Sequence, residues 1–557
     1  MSEAGEAFPK SLAQSPLFNL LNRESAGSRR DILLAILVSG AANAAILMVI
    51  NQAPAESASN ALDFRLLMIF VVALSLYIVG YGALFKLSSK VFEQTLTAVR
   101  LRLMQKVANS ELLILHHTGR ARIFRAIAQD TSVISESQNI LLSATQAAVM
   151  VICVGFYVLF VSPAAFITIV AAVTAGAFLY MTRSAELEKL GRESAAEEVN
   201  FIGLTEDLID GLKEVKLNAG RKDDILTEAA GVAADLRSIR LRLSALFNDS
   251  AIFAQCLFYV LLAVIVFLLP QFLAGFSTNA PKLVATVLFI IGPLSNVVGA
   301  APAFTRANRA AASLAELEGD LDRAHAEPHE QGRPHPLTLE ASIECRGLEF
   351  GYPVLAGSDS FHIGPIDLAI DRGAITMLVG GNGSGKTTLL KVIAGLYAPT
   401  AGHLVLDGQE IRAEQIASYR EMFGAVFSDF HLFRKLYGVA ASAQSIDAAL
   451  AQMSIGDKVR YIDSGFSTRD LSTGQRKRVA MVVTLLEDRP VLIFDEWAAE
   501  QDPEFRAHFY DTLLPDLKAA GKTVLVATHD DRFFHIADKI VKLELGEVQS
   551  ITSGAQA

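Results

Sequence analysis

A six-span α-helical membrane domain followed by an α/β domain is the fold class predicted by three features of this 557-residue sequence. The first is uneven hydropathy: the chain is 52% hydrophobic, 19% charged and has a mean hydropathy of +0.36, with its long apolar runs before residue 310. The second is a glycine-rich loop set between an apolar strand and an amphipathic helix at 375–396. The third is another apolar strand, 490–496, that ends in two adjacent carboxylates. A soluble chain of this length carries more charge and divides into several domains. The net charge of −10 argues against a nucleic-acid partner, and no basic block with interleaved aromatics is present. Cys153, Cys256 and Cys345 fall in two apolar runs and one strand, at spacings that suit neither a metal site nor a disulfide framework. Three buried thiols are expected.

Crossing a bilayer takes ~20 helical residues. Six apolar stretches reach that length, at about 32–50, 66–85, 140–161, 164–182, 251–270 and 282–301. Only the Ser162–Pro163 turn separates the third from the fourth, which predicts a tight hairpin. Lysine and arginine set the orientation. The candidate outer loops "NQAPAESASNALDF" (51–64), "SP" and "PQFLAGFSTNAP" (270–281) hold neither. The loops 86–138 and 182–250 hold many, including Lys86, Arg100, Arg102, Lys106, Arg120, Lys213, Lys216, Arg221 and Lys222. Arg29 and Arg30 precede the first span, and no signal peptide with a cleavage site is found in the first 30 residues. The N-terminus and everything after residue 310 are therefore expected in the cytosol.

The resulting domain plan is a cytosolic segment 1–30, a membrane domain 31–310, a linker 311–340 and an α/β domain 341–557. Two basic loop segments, 91–113 and 194–219, carry apolar residues at helical spacing, so the spans continue into the cytosol and turn back there. Such tips either form a solvated bundle or press on the cytosolic domain. The linker is charged and broken by Pro328, Pro334 and Pro336, and its irregularly spaced His325, His329 and His335 read as connector rather than metal ligands.

"ITMLVGGNGSGKTTLLKVIAGL" (375–396) sets the pattern G-x-x-x-x-G-K-T, Gly380–Thr387, between a strand and a helix. Glycines let backbone N–H groups curl round an anion, and the helix N-terminus adds its positive dipole end. Candidate phosphate contacts are Gly380, Gly381, Asn382, Gly383, Ser384, Gly385, Lys386, Thr387 and Thr388. Lys386 is placed to reach β- and γ-phosphates, and Thr387 to hold Mg²⁺. At the end of "PVLIFDE", Asp495 is a second Mg²⁺ ligand and Glu496 the group that orients and deprotonates the attacking water.

"LSTGQ" (471–475) then resembles the LSGGQ signature of the ATP-binding cassette transporter family, with Thr473 in place of one glycine. The resemblance covers essentially the whole chain and implies an exporter-type membrane domain followed by an ATP-binding cassette, with ATP and Mg²⁺ as cofactors. It implies that Ser472, Gly474 and Gln475 meet the ATP held by a second copy, that Asp502 links the two sites, and that Tyr352 in "FGYP" stacks on adenine. His529, after the strand of "VLVATHDD", corresponds to the family's γ-phosphate-contacting histidine. One membrane domain and one cassette imply a half-transporter that pairs with itself, or with a degenerate partner. "AVFSDFHLF" departs from the family by placing Ser428 where a glutamine reaches Mg²⁺, so Ser428 is a weaker metal candidate. Phe430 and Phe433 beside it are candidates for docking on the loop tips.

"FDEWAAEQDPEFR", "VFSDFHLF" and "THDDRFFHIADK" together resemble the bacterial cyclic-peptide and siderophore exporter subgroup, of pyoverdine and syringomycin type. That implies a multi-pass inner-membrane protein exporting a non-ribosomal peptide, siderophore precursor or lipopeptide, with periplasmic or outer-membrane export components as optional partners. The spans carry few polar residues, among them Asn43, Gln146, Gln255 and Asn296, which suits a bulky amphiphile better than an inorganic ion. A lipid flippase of the same architecture stays open, as does a non-pumping channel or regulatory subunit, although Glu496 and His529 are both retained.

Overall fold

The computed structural model describes residues 15–24, 29–56, 63–272, 276–323, 337–352 and 361–554. It divides into two compact units: 1–104 with 121–318, and 105–120 with 319–557. The expected linker histidines and prolines lie outside the described residues.

The first unit is helical. Among the described residues, five helical stretches are long and apolar enough to cross a membrane: Arg30–Gln52, Phe64–Ala108, Arg120–Val161, Ala219–Phe272 and Ala280–Arg323. The sixth expected span, 164–182, falls in helix Pro163–Asp210, whose apolar stretch Pro163–Gly176 is shorter than the others. The predicted hairpin forms as its residues dictate. Ser162 is extended and accepts a hydrogen bond from the Ala165 N–H at 3.3 Å, and Pro163 opens the next helix, where its missing N–H costs nothing.

Large apolar side chains face outwards along these helices, Ile78 at 61% and Phe160 at 86% exposure, a surface that water does not tolerate over such an area. This corrects the expectation for the cysteines. Cys345 is buried and Cys153 half-buried, but Cys256 is exposed, because an apolar run in a membrane helix need not face a protein core. Helix-to-helix bonding explains several span polar groups: the Asn43 amide lies 3.1 Å from Met150 Sδ, and the Asn51 amide donates to Thr286 Oγ1 at 2.7 Å. Gln255 donates to Tyr259 of its own helix.

The second unit is an α/β domain with twelve strands among the described residues: β1 (Ser342–Gly351), β2 (His362–Asp371), β3 (Ile375–Val379), β4 (Ala401–Leu406), β5 (Gln409–Glu410), β6 (Phe423–Val426), β7 (Tyr461–Ile462), β8 (Gly465–Phe466), β9 (Val491–Asp495), β10 (Thr523–Thr528), β11 (Lys539–Glu544) and β12 (Glu547–Thr552). A six-stranded sheet runs β12-β11-β3-β10-β9-β6, parallel except at β12. Every residue of β3, β9 and β10 is buried, which is why these strands are continuous apolar runs rather than alternating ones. A second, antiparallel sheet runs β2-β1-β4-β5.

Gln105–Arg120 groups with the cassette unit, and Leu112 and Leu113 of helix Leu112–Thr118 pack against the core that contains Ile343, Leu389 and Tyr419. The tip of the loop between the second and third spans therefore packs on the α/β core.

Candidate functional site

Parallel register builds the site. Val379 at the end of β3 lies opposite Thr528 of β10, and Ala527 lies opposite Asp495 of β9. The phosphate loop, Asp495–Glu496 and His529 thus leave adjacent strands at the same edge, where open parallel sheets bind ligands.

The loop tolerates no side chain at its close approaches. A Cβ on Gly380 would lie 2.2 Å from the Leu543 carbonyl oxygen, and one on Gly385 2.8 Å from Ile363 Cγ2. Gly385, at φ +101°, opens helix Lys386–Ile393. Lys386 is buried and folds back, donating to the Gly380 and Gly381 carbonyls at 3.0 Å each, with Glu496 Oε1 at 3.7 Å. Burial pushes its pKa down, against the opposing pull of the Glu496 and Asp495 carboxylates. The loop residues Asn382–Thr388 line a cavity of about 300 Å³ together with Phe361 and Glu496.

Thr387 Oγ1 donates between the two oxygens of fully buried Asp495, at 3.0 and 2.9 Å. Ser428 reaches the same carboxylate through its backbone N–H, at 3.2 Å to Oδ2. A hydroxyl and a carboxylate are hard oxygen donors of the kind Mg²⁺ takes, and the buried Ser384 Oγ has no protein partner, so the residues present fit a metal-bound phosphate. Glu496 Oε1 accepts from His529 Nε2–H at 2.7 Å. Glu496 adopts φ +47°, the left-handed region, which costs a non-glycine residue roughly 1–3 kcal/mol and concentrates at active sites.

Tyr352, expected to stack on adenine, lies beside the loop helix among other aromatic rings. Tyr352 OH pairs with Thr388 Oγ1 at 3.1 Å, and its ring stands edge-on to Phe350 and Tyr397. Phe361, the cross-strand neighbour whose carbonyl accepts from the Tyr352 N–H, is the aromatic on the cavity wall. Sequence reasoning missed Phe361; its place opposite Tyr352 in a β-hairpin was the available signal.

The signature turn forms a helix start. Ser472 caps helix Thr473–Leu486 by a reciprocal box, accepting from the Gln475 N–H while Gln475 Oε1 accepts from the Ser472 N–H at 3.2 Å. Gln501 donates to the Gly474 carbonyl at 3.0 Å, and Arg478 donates to Gln501 at 2.8 Å and pairs with Asp502. Asp502 also caps helix Pro503–His508, and that Phe505 N–H bond, with Arg478, holds its pKa below the usual carboxylate range. Asp429 binds Lys391 at 3.0 Å and Leu432 is in the core. Phe430 packs against that core, whereas Phe433 is 58% exposed beside His431 and Tyr437.

Comparison with known proteins fits this geometry. The ABC transporter family pattern matches residues 363–499, which hold the phosphate loop, the signature and the acid pair. The chain is 33% identical over 539 residues, 93% of both chains, to ATP-binding protein SyrD of Pseudomonas syringae pv. syringae. The chain is an ABC transporter. It has the exporter fold: a solved bacterial Atm1-family ABC exporter with ATP bound matches with a TM-score of 0.76 over 96% of each chain, at 18% identity. An ATP-dependent lipid A-core flippase of Paraburkholderia xenovorans is 24% identical over 492 residues, 86% of this chain and 80% of its own. This ABC exporter half-transporter is a membrane-embedded ATPase coupled to transport, of a family that works in pairs.

Proposed function

We propose that this transporter exports a cyclic or non-ribosomal peptide, a siderophore precursor or a lipopeptide across the bacterial inner membrane, as a homodimer with twelve spans and two cytosolic ATP sites. The observation that carries the cargo class is the sequence of the catalytic turn and its surroundings, "FDEWAAEQDPEFR" with "LSTGQ" and "THDDRFFHIADK", which resembles the peptide and siderophore subgroup. The whole-length likeness to SyrD supports the same reading. Pro163–Asp210 supplies the remaining span, and 1–30 and 341–557 lie on the cytosolic side.

The geometry supports the following roles. Amides of Gly380–Gly385 cradle the phosphates, with Lys386 leaving the loop carbonyls for the β- and γ-oxygens, and Thr388 and Tyr352 border the nucleoside. Thr387 and Asp495, with Ser428 at its side, would hold Mg²⁺, which neutralises charge on the phosphate oxygens. Glu496 takes a proton from the attacking water, and His529 fixes the carboxylate through the 2.7 Å bond while facing the γ-phosphate. Ser472, Gly474 and Gln475 of the partner subunit close the site, where small residues let hydroxyl and N–H donors approach. Asp502 joins that closure to the partner's site.

Lipid A-core flippases among the relatives favour a second reading, translocation of a lipid. A deletion strain separates the two: peptide or siderophore precursor retained in the cytoplasm supports export, and a normal extracellular level with no competing exporter contradicts it.

A further inference from the structure

Lys477 lies in the basic run Arg476–Lys477–Arg478 yet is only 2% exposed, and no step above uses it. Its Nζ donates to the backbone carbonyl of Glu496 at 2.9 Å and lies 3.6 Å from a Glu500 carboxylate oxygen. Trp497, itself buried, returns an indole N–H to the Lys477 carbonyl at 3.0 Å. One residue of the signature helix is therefore bonded at both ends to the turn that carries the hydrolytic acid.

That turn needs holding. Glu496 has the left-handed φ of +47°, and such a conformation persists only where its surroundings over-determine it. Its N–H is fixed by the Ala527 carbonyl of β10 at 3.0 Å, and its carbonyl by Lys477. Packing alone gives no reason for an ammonium here, because a methionine of similar length would fill the space without desolvating a charge.

We propose that Lys477 is a positioning residue for ATP hydrolysis, tying the Glu496 peptide, and so the direction of its carboxylate, to the signature helix. The inference rests on Glu496 as the water-activating group. A helix moved by one nucleotide then moves the acid that faces the other, so Lys477 links signature engagement to hydrolysis.

The test uses the full chain in lipid vesicles with MgATP. Lys477→Met lowers kcat about 10- to 100-fold, the scale of a misplaced catalytic group, while KM changes less than about threefold. Lys477→Gln keeps a donor and recovers part of the lost kcat. Trp497→Phe removes the indole bond along with some buried ring volume and lowers kcat by about two- to fivefold with MgATP binding kept, which decides the matter if Lys477→Met does not fold. Unchanged kcat in Lys477→Met and Trp497→Phe overturns the proposal, and so does an equal loss of MgATP binding and kcat in all three variants. Glu496→Gln is measured beside them. Its near-complete loss of hydrolysis keeps the base assignment intact whatever the Lys477 result, and wild-type hydrolysis there overturns both.

Discussion

Gly474→Ala is the sharpest perturbation of the signature turn. A Cβ at Gly474 would stand 2.6 Å from the Glu500 carbonyl oxygen, and that neighbour is backbone. Restoring an ordinary contact of 3.4 Å requires the two segments to part by about 0.8 Å. Parting them stretches the Gln501–Gly474 bond, now 3.0 Å, and shifts the Ser472 cap at the head of the helix. Overpacking of this kind costs about 1–3 kcal/mol in stability, and a misplacement near 1 Å costs on the order of 100-fold in rate. The variant should therefore bind MgATP at the phosphate loop with near wild-type affinity, yet hydrolyse it about 10- to 100-fold more slowly. Equilibrium MgATP binding and steady-state ATPase of the reconstituted protein measure the two separately. An ATPase rate within about twofold of wild type would refute the reasoning, as would a loss of binding as large as the loss of rate.

Three further outcomes are expected. Glu496→Gln keeps shape and the His529 bond but loses basicity, so it should accumulate as a closed ATP-bound dimer with hydrolysis nearly stopped; rapid turnover would move the base role to His529 or Asp530. Ser428→Ala retains the backbone N–H that meets Asp495, so basal ATPase should stay near wild type and substrate stimulation should fall, while Phe433→Ala should uncouple hydrolysis from transport; unchanged stimulation in both would place the coupling contact elsewhere. Burial, with the Asp367 charge, pushes the Cys345 thiol up to about 12, so in the native protein it stays neutral and unreactive to maleimide at pH 8. Because the folded pKa lies above the unfolded one, the stabilising effect is complete below about pH 9 and is lost as pH rises toward 12. Labelling of native Cys345 at pH 8 would contradict this.

The parts of the site readable in sequence are those whose chemistry is contiguous. Gly380–Thr387 carries its strand, anion cradle and helix in one stretch, and "VLIFD" and "TVLVAT" announce buried parallel strands by their unbroken apolar runs. Which strand neighbours which is a long-range matter, so the meeting of Thr387, Asp495 and His529 rested on resemblance until the strand order β3-β10-β9 was known. Lys477 was illegible because a lysine between two arginines on a helix start reads as solvated; only tertiary packing turns it under Glu496. Phe361 was missed for the same reason, since only tertiary packing brings its ring to the cavity wall. In the membrane unit, hydropathy located spans but not facing, which is why Cys256 was expected inside. Helical spacing in 91–113 left open whether the loop tip is solvated or packed, and the contacts of Leu112 and Leu113 with the cassette core decide for packing.

Movement of cargo tests the account most directly. Inside-out vesicles holding the reconstituted transporter are given MgATP, a labelled cyclic lipopeptide or siderophore precursor, and in parallel a fluorescent lipid. Peptide should accumulate in the lumen with MgATP and wild-type protein, fail to do so with Glu496→Gln, and leave the lipid distribution unchanged. ATP-dependent lipid movement without peptide accumulation would contradict the account.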